Sequence, residues 1–266
     1  LQVMFGRNGE CPCVVLAISR PSDAFEATIE ACRIALEHMV PVFLLSDGYI
    51  GTASEPWCLP ELSQLETISV RQLQSIGANF TPYDRDPETL ARLWALPGTA
   101  GGEHRIGGLE KQDLTGNISY DPENHQRMTN LRAEKVARVA DHLQPLAIDG
   151  PDRGELLVLG WGSTYLSIAG AVSRLRERDI SVSHLHLRHL NPLPIDLEQV
   201  LHSFNTVVVP ELNMGQLALL LRSKYLVDVQ SLCKVQGQPF KVAELETAFQ
   251  SYISRSGDTQ GIASHG

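Results

Sequence analysis

Arg7 lies between two glycines, Gly6 and Gly9, in the stretch "VMFGRNGE" (3–10). Glycine opens backbone conformations closed to other residues and lets a ligand approach the chain closely. A guanidinium presents a planar fork of donors that matches a carboxylate or a phosphate. Asn8 adds an amide donor beside it. The same residue types also make ordinary surface turns, because loops are rich in them.

Two further stretches could carry chemistry. "LLSDGYIGTASEP" (44–56) reads as a strand ending in small and polar residues, which is where open α/β sheets place ligand loops. Asp47 in it suits a cap or an Asx turn. "GWGST" (160–164) reads as a glycine turn from strand to helix, able to offer N–H groups to an anion. It lacks the third glycine of the dinucleotide fingerprint, and no acidic residue closes the next strand, "ISVSHLHL". His184 and His186 alternate along that strand and so share a face, as structural histidines do. His104 and Arg105, in a glycine-rich segment, could line a pocket or an interface. The five cysteines (11, 13, 32, 58 and 233) are odd in number and scattered, which suits reduced thiols, and "CPC" is too close for a metal knuckle. No metal ligand set is expected, and the sequence holds no G-x-S-x-G, HExxH or P-loop.

The elements that must position these residues follow from periodicity. A β-branched run at 11–19, a helix over the next stretch and a second apolar strand at 40–49 make a β-α-β unit of the kind found in parallel sheets. Asp23 with Glu26 has capping-box spacing, and Phe25, Ile29, Cys32 and Leu36 fall on one helical face, which predicts a buried Cys32. Two strands are too few for a domain, so a preceding half is expected. Residues 76–120 are rich in proline and glycine and have no sustained period, yet contain Tyr83, Trp94 and Ile106; a functional loop or interface arm is expected. Asp121 and Pro122 then open a helix whose inner face is Met128, Leu131, Val136, Val139 and Leu143. Residues 155–254 alternate strand and helix, which predicts a mostly parallel three-layer α/β/α sandwich. In its helix after 212, Asn213 and Gln216 have capping spacing, and Met214, Leu217 and Leu221 are expected inward.

The 266 residues carry a net charge of −9 at 43% apolar content, enough for a real core. Such a balance argues against nucleic acid or an anionic membrane as the main partner, since both need a basic face, and leaves room for a local basic pocket. No apolar run reaches the length of a membrane span, and the opening residues do not read as a signal peptide.

The blocks "FGRNGECP", "ALEHMVPVFLLSDGYIGTASEPW", "GGEHRIGGLEKQDLTGNISYDPENHQRM", "LRAEKVARVAD" and "VPELNMGQLALLLRSKYLVDVQSLCKVQGQPF" together resemble the α subunit of 2-oxoacid:ferredoxin oxidoreductases, 2-oxoglutarate (KorA) type, in its C-terminal portion. The resemblance implies a division into three: residues 1–75 as the end of a pyrimidine-type thiamine domain, 76–150 as a connecting arm and helix, and 151–266 as a transketolase C-terminal-like domain. It implies oxidative decarboxylation of a 2-oxoacid on thiamine diphosphate, with the acyl group passed to coenzyme A and electrons passed through a [4Fe–4S] cluster to ferredoxin. A β subunit would supply the diphosphate and Mg²⁺ site and the cluster ligands, in a cytoplasmic homo- and hetero-oligomer. Arg7, with Asn8 beside it, matches the position that grips the substrate carboxylate. The family's Y-P-I-[TS]-P segment and the acidic residue that activates the aminopyrimidine are absent, so no catalytic residue is expected in this chain, and turnover by it alone is not. Two other readings remain open on the residues themselves: a non-catalytic docking module, and a nucleotide-sensing module using "GWGST".

Overall fold

The computed structural model describes residues 1–73 and 80–262, those after residue 254 as backbone. The boundary expected at residue 75, and the first residues of the arm, lie outside the described residues. The chain divides into two compact units. Unit 1 comprises residues 1–16, 28–44 and 58–143; unit 2 comprises 17–27, 45–57 and 144–266.

In unit 1 the short helix α1 (Gln2–Phe5) precedes strand β1 (Val14–Ala17), helix α2 (Ala24–Glu37) and strand β2 (Val42–Leu45). Strands β1 and β2 and helix α2 all continue into unit 2 at one end. Val14 N–H donates to Pro41 O at 3.0 Å. Helix α4 (Pro122–Ala137) opens as expected. The Asp121 carboxylate accepts from the backbone N–H groups of Glu123 and Asn124, and Pro122 takes the first helical position, where no N–H is needed. Met128, Val136 and Val139 are buried, and Val136 and Val139 close a core with Val14, Leu16, Ile34 and Val40.

The face expected of α2 is wrong. Ala27 and Ile34 are buried and Cys32 is exposed. The helix turns its small residues inward because Ala31 and Ile34 pack on β1 and α4. A stripe chosen by side-chain size therefore selects the wrong side of this helix. Strand β2 also differs: Val42, Leu44 and Leu45 are only partly buried, and Phe43 is exposed.

The 80–120 segment contains no helix and no strand. It is tied by isolated bridges, Tyr83 to Leu114, Arg85 to Arg92 and Lys111 to Ile118. Trp94 anchors it, its indole Nε1 donating to Leu36 O at 2.9 Å.

Unit 2 holds α3 (Gly48–Thr52), β3 (Gly154–Trp161), α5 (Tyr165–Arg176), β4 (Ser183–Leu187), β5 (His189–Asn191), α6 (Leu197–His202), β6 (Phe204–Glu211), α7 (Gln216–Tyr225), β7 (Val229–Cys233) and α8 (Val242–Ile262). Four strands form a parallel sheet in the order β4-β3-β6-β7. Leu157 pairs with Ser183 on one side and with Val207 on the other. Leu156 to Leu159 are all buried, an unbroken apolar run of the kind that parallel strands need when both faces are covered. Leu156 and Val158 pack with Ile168, Val172 and Leu175 of α5 and with Leu245 and Phe249 of α8. By strand alternation Leu157 and Leu159 face the other layer, where Leu197, Leu201, Leu217 and Leu221 of α6 and α7 are buried. The three-layer α/β/α expectation is met. No helix among the described residues is long and apolar enough to cross a membrane.

Asp23 does not cap α2. It ends a 3₁₀ turn, Pro21–Asp23, that runs straight into the helix. Its buried carboxylate accepts from the Ser19 N–H at 2.9 Å and the Ser19 hydroxyl at 2.8 Å, and pairs with Arg188. Met214 is 82% exposed rather than inward. It precedes Gly215, whose φ of +82° turns the chain and starts α7 one residue later. Asn213 Oδ1 does accept from Gln216 N–H, at 2.8 Å.

Candidate functional site

The Arg7 turn is built by its glycines. Gly6 N–H closes α1 on Gln2 O at 2.8 Å. A Cβ at position 6 would lie 2.7 Å from that same oxygen, so only glycine fits. Gly9 has φ +65°, the left-handed region that glycine enters without strain. The half-buried Arg7 side chain is thereby folded back on unit 1. Its Nε donates to Val3 O at 3.1 Å, and its Nη2 donates to Cys11 O and lies 3.1 Å from Cys13 Sγ. The guanidinium carbon sits 5.3 Å from the centroid of the Phe43 ring on β2. No carboxylate pairs with Arg7 among the described residues. Burial pushes the Cys13 thiol up, against the pull of the Arg7 charge. Asn8 is exposed. The result is a cation fixed in direction by carbonyls, stacked on an aromatic face, with Nη1 left for another acceptor.

In unit 2, the ends of β2 and β3 form a cavity of about 340 Å³, lined by Ser46, Asp47, Trp161, Ser163, Asn213 and Gln216 among others. Asp47 caps α3, its Oδ1 accepting from Ile50 N–H at 3.0 Å. Its Oδ2 accepts from the Ser163 hydroxyl of the "GWGST" turn. Gly162 at φ +59° makes that turn, and Trp161 N–H meets Thr164 Oγ1 at 3.2 Å. The neighbouring α7 N-terminus is occupied by Glu211, whose carboxylate accepts from Leu217 and Ala218 N–H at 2.8 and 3.1 Å. Asp47 thus places a carboxylate on the Ser163 hydroxyl of the turn, and Glu211 places one on the start of α7, both unfavourable neighbours for a phosphate.

His184 and His186 share a face as expected, their rings 5.8 Å apart and each within 6 Å of the Tyr165 ring. Burial pulls them down to about 4 and about 3, so both are neutral core groups. His104 and Arg105 line a shallow cavity with Phe80 and Asn117. His104 Nδ1 lies 2.8 Å from Gly102 O. Sequence reasoning passed over the cations of the arm and α4. Arg85, Arg92, Lys111, Arg132 and Lys135 are scattered over fifty residues in sequence but line one cavity of unit 1.

Residues 1–119 match the family model described as "Pyruvate flavodoxin/ferredoxin oxidoreductase, thiamine diP-bdg". The chain is 50% identical over 246 residues to the 2-oxoglutarate oxidoreductase subunit KorA of Mycobacterium tuberculosis, covering 92% of this chain and 37% of that one. Over nearly its whole length this chain is similar to α subunits of 2-oxoacid:ferredoxin oxidoreductases. A KorA subunit of 2-oxoglutarate synthase from Archaeoglobus fulgidus is 29% identical over 217 residues, 81% of this chain and 54% of the relative. The solved 2-oxoglutarate:ferredoxin oxidoreductase from Magnetococcus marinus, with 2-oxoglutarate, coenzyme A and succinyl-CoA bound, superposes with a TM-score of 0.87 at 25% identity. That match covers 95% of this chain and 44% of the other. Across these three comparisons, the chain spans between 37% and 54% of the protein it matches.

Proposed function

We propose that this chain forms part of a multi-subunit enzyme that oxidatively decarboxylates a 2-oxoacid, 2-oxoglutarate in the first instance, to its acyl-CoA and passes the electrons to ferredoxin. The names of the relatives support the substrate and the enzyme class. Within this reading the division at 1–75, 76–150 and 151–266 follows the thiamine domain, the arm and the transketolase-like domain. A β subunit completes the enzyme, which works in the cytoplasm as a homo- and hetero-oligomer.

The part assigned to this chain is the grip on the substrate carboxylate, by Arg7 with Asn8 beside it. The observation that carries it is the half-buried guanidinium without an acidic partner among the described residues. Its turn is preorganised by Gly6 and Gly9, so ordering is complete before substrate arrives. Thiamine diphosphate and coenzyme A belong to the proposed whole enzyme, as do Mg²⁺ and a [4Fe–4S] cluster. The donor set here does not fit the last two: no three His, Cys, Asp or Glu side chains converge among the described residues. They are assigned to the β subunit, and no step is derived through any of these groups.

Arg7→Lys in the assembled complex tests the grip. Lysine keeps the charge and loses the fork. A charge-assisted bond contributes about 1.5–3 kcal/mol, so KM for the 2-oxoacid should rise by roughly 10–100-fold with kcat less affected. An unchanged KM would remove Arg7 from the site.

A further inference from the structure

We propose that the basic cavity of unit 1 is a binding site for an organic phosphate, with Arg92, Lys111 and Lys135 as its anion-holding residues.

The cavity has a volume of about 540 Å³ and lies between the arm, the β1–β2 end and α4. Five cations line it. Two are compensated: Arg85 pairs with Asp113, and Arg132 lies 3.2 Å from Glu110. The other three contact no carboxylate among the described residues. Arg92 donates to Pro82 O at 3.0 Å, with its guanidinium 4.3 Å from the centroid of Tyr83. Lys111 is 5% exposed, its Nζ held by Gly107 O at 2.9 Å and by Leu109 O. Lys135 Nζ donates to Met39 O at 2.8 Å.

Each cation is thus oriented by neutral carbonyl or aromatic groups. Burial of an unpaired charge costs several kcal/mol in general, so natural cores pair it. Here the cost is expressed as a lowered affinity for protons. Burial first, then Arg92, Arg85 and Arg132, bring Lys135 down to about 8. Burial and the nearby Arg85 lower Arg92 as well, against the Tyr83 pull. These groups gain stability from a multiply charged anion placed among them, and a phosphate offers more acceptors than a carboxylate.

The cavity exceeds the room that one inorganic phosphate needs and falls in the range of small-molecule sites. Its remaining wall includes Met39, Met128, Leu131 and Val136. A ligand with a phosphate at one end and an apolar or aromatic body at the other satisfies both halves. Arg7 does not line this cavity, so the proposal stands or falls apart from the substrate grip.

Calorimetry on the full chain with inorganic phosphate, diphosphate and ADP, with acetate as the monovalent control, tests it. The expected order is ADP and diphosphate above phosphate, and acetate without measurable heat. Lys135→Gln and Arg92→Gln should each weaken ADP binding by about 10–100-fold, and Lys135→Arg should retain most of it. Binding should also weaken as pH rises past about 8, where Lys135, which shares the cavity with Arg85, Arg92, Lys111, Arg132, Tyr83, Cys11, Glu10 and Glu110, loses its proton. Thermal unfolding of each variant without ligand separates misfolding from lost binding: the ADP-induced rise in Tm is the readout in a variant that folds less well. No heat with any of the three phosphates at millimolar concentration overturns the proposal. So does ADP binding that neither substitution changes.

Discussion

Trp161 and Glu211 end adjacent parallel strands and are joined there, the indole Nε1 donating to the Glu211 Oε1 at 3.2 Å. Glu211 has no solvent exposure. It also accepts from Asn213 Nδ2 at 3.1 Å and from the first N–H groups of α7. One buried carboxylate therefore fastens β3, the loop after β6 and the start of α7. Negative charge at a helix N-terminus is favoured by the dipole as well as by the bonds.

Glu211→Ala should accordingly be among the most damaging single changes in unit 2. It leaves an indole N–H, a side-chain amide and two backbone N–H groups short of their acceptor in a buried place. A cost of about 3–5 kcal/mol is expected, and Glu211→Gln should cost less, about 1–3 kcal/mol, because one acceptor oxygen remains. Urea unfolding of the chain gives both values from the shift in midpoint. A loss below 1 kcal/mol (about the worth of one ordinary hydrogen bond) for the alanine variant would show that water replaces the carboxylate without difficulty.

Gly160 gives a second stability prediction, this one steric. It sits in β3 where a Cβ would lie 2.6 Å from Ile168 Cδ1 and 2.8 Å from His186 Nδ1. Gly160→Ala overpacks the β3–α5 contact and should cost about 1–3 kcal/mol. Ile168→Val removes the clashing Cδ1 and alone costs about 0.5–1.5 kcal/mol. The double variant should be more stable than the sum of the two predicts, since the sites touch. Strict additivity in the cycle would mean that the backbone, not Ile168, takes up the strain.

Legibility in the sequence divides along a physical line. Local signals were readable: the Asp121–Pro122 helix start, the Asp47 cap and the unbroken apolar runs of β3 and β6 each depend on residues within a few positions of one another. The inner face of α2 was not, because Ala31 is too small to weigh in a search for large apolar residues, and only the packing against β1 and α4 selects it. Asp23 looks like a cap from its neighbours, but its partner Arg188 is far along the chain. The glycines around Arg7 drew notice as permissive residues, whereas the reasons for them, a collision at position 6 and a positive φ at position 9, are three-dimensional. The basic cavity gave no signal at all, since the overall charge is acidic and its cations lie in separate segments.

The paired histidines of β4 give a pH prediction. His184 is held down to about 4 and His186 to about 3, in each case by burial first. Asp149 opposes and Arg176 reinforces the effect on His184, while His184 and Arg188 reinforce it on His186. Both rings are neutral in the fold, whereas in the unfolded chain they take protons near pH 6.5. The unfolded state therefore binds more protons between pH 6.5 and about 4, and stability falls as pH falls through that window. Above 6.5 the two histidines contribute no slope. For His184 the full loss is on the order of 3 kcal/mol, since each tenfold drop in proton affinity corresponds to about 1.36 kcal/mol. Urea midpoints between pH 7 and 4, compared for the parent chain and His184→Asn, should give a flatter curve for the variant, whatever its absolute stability. Parallel curves would mean that His184 reaches solvent and titrates in the folded chain much as it does in the unfolded one.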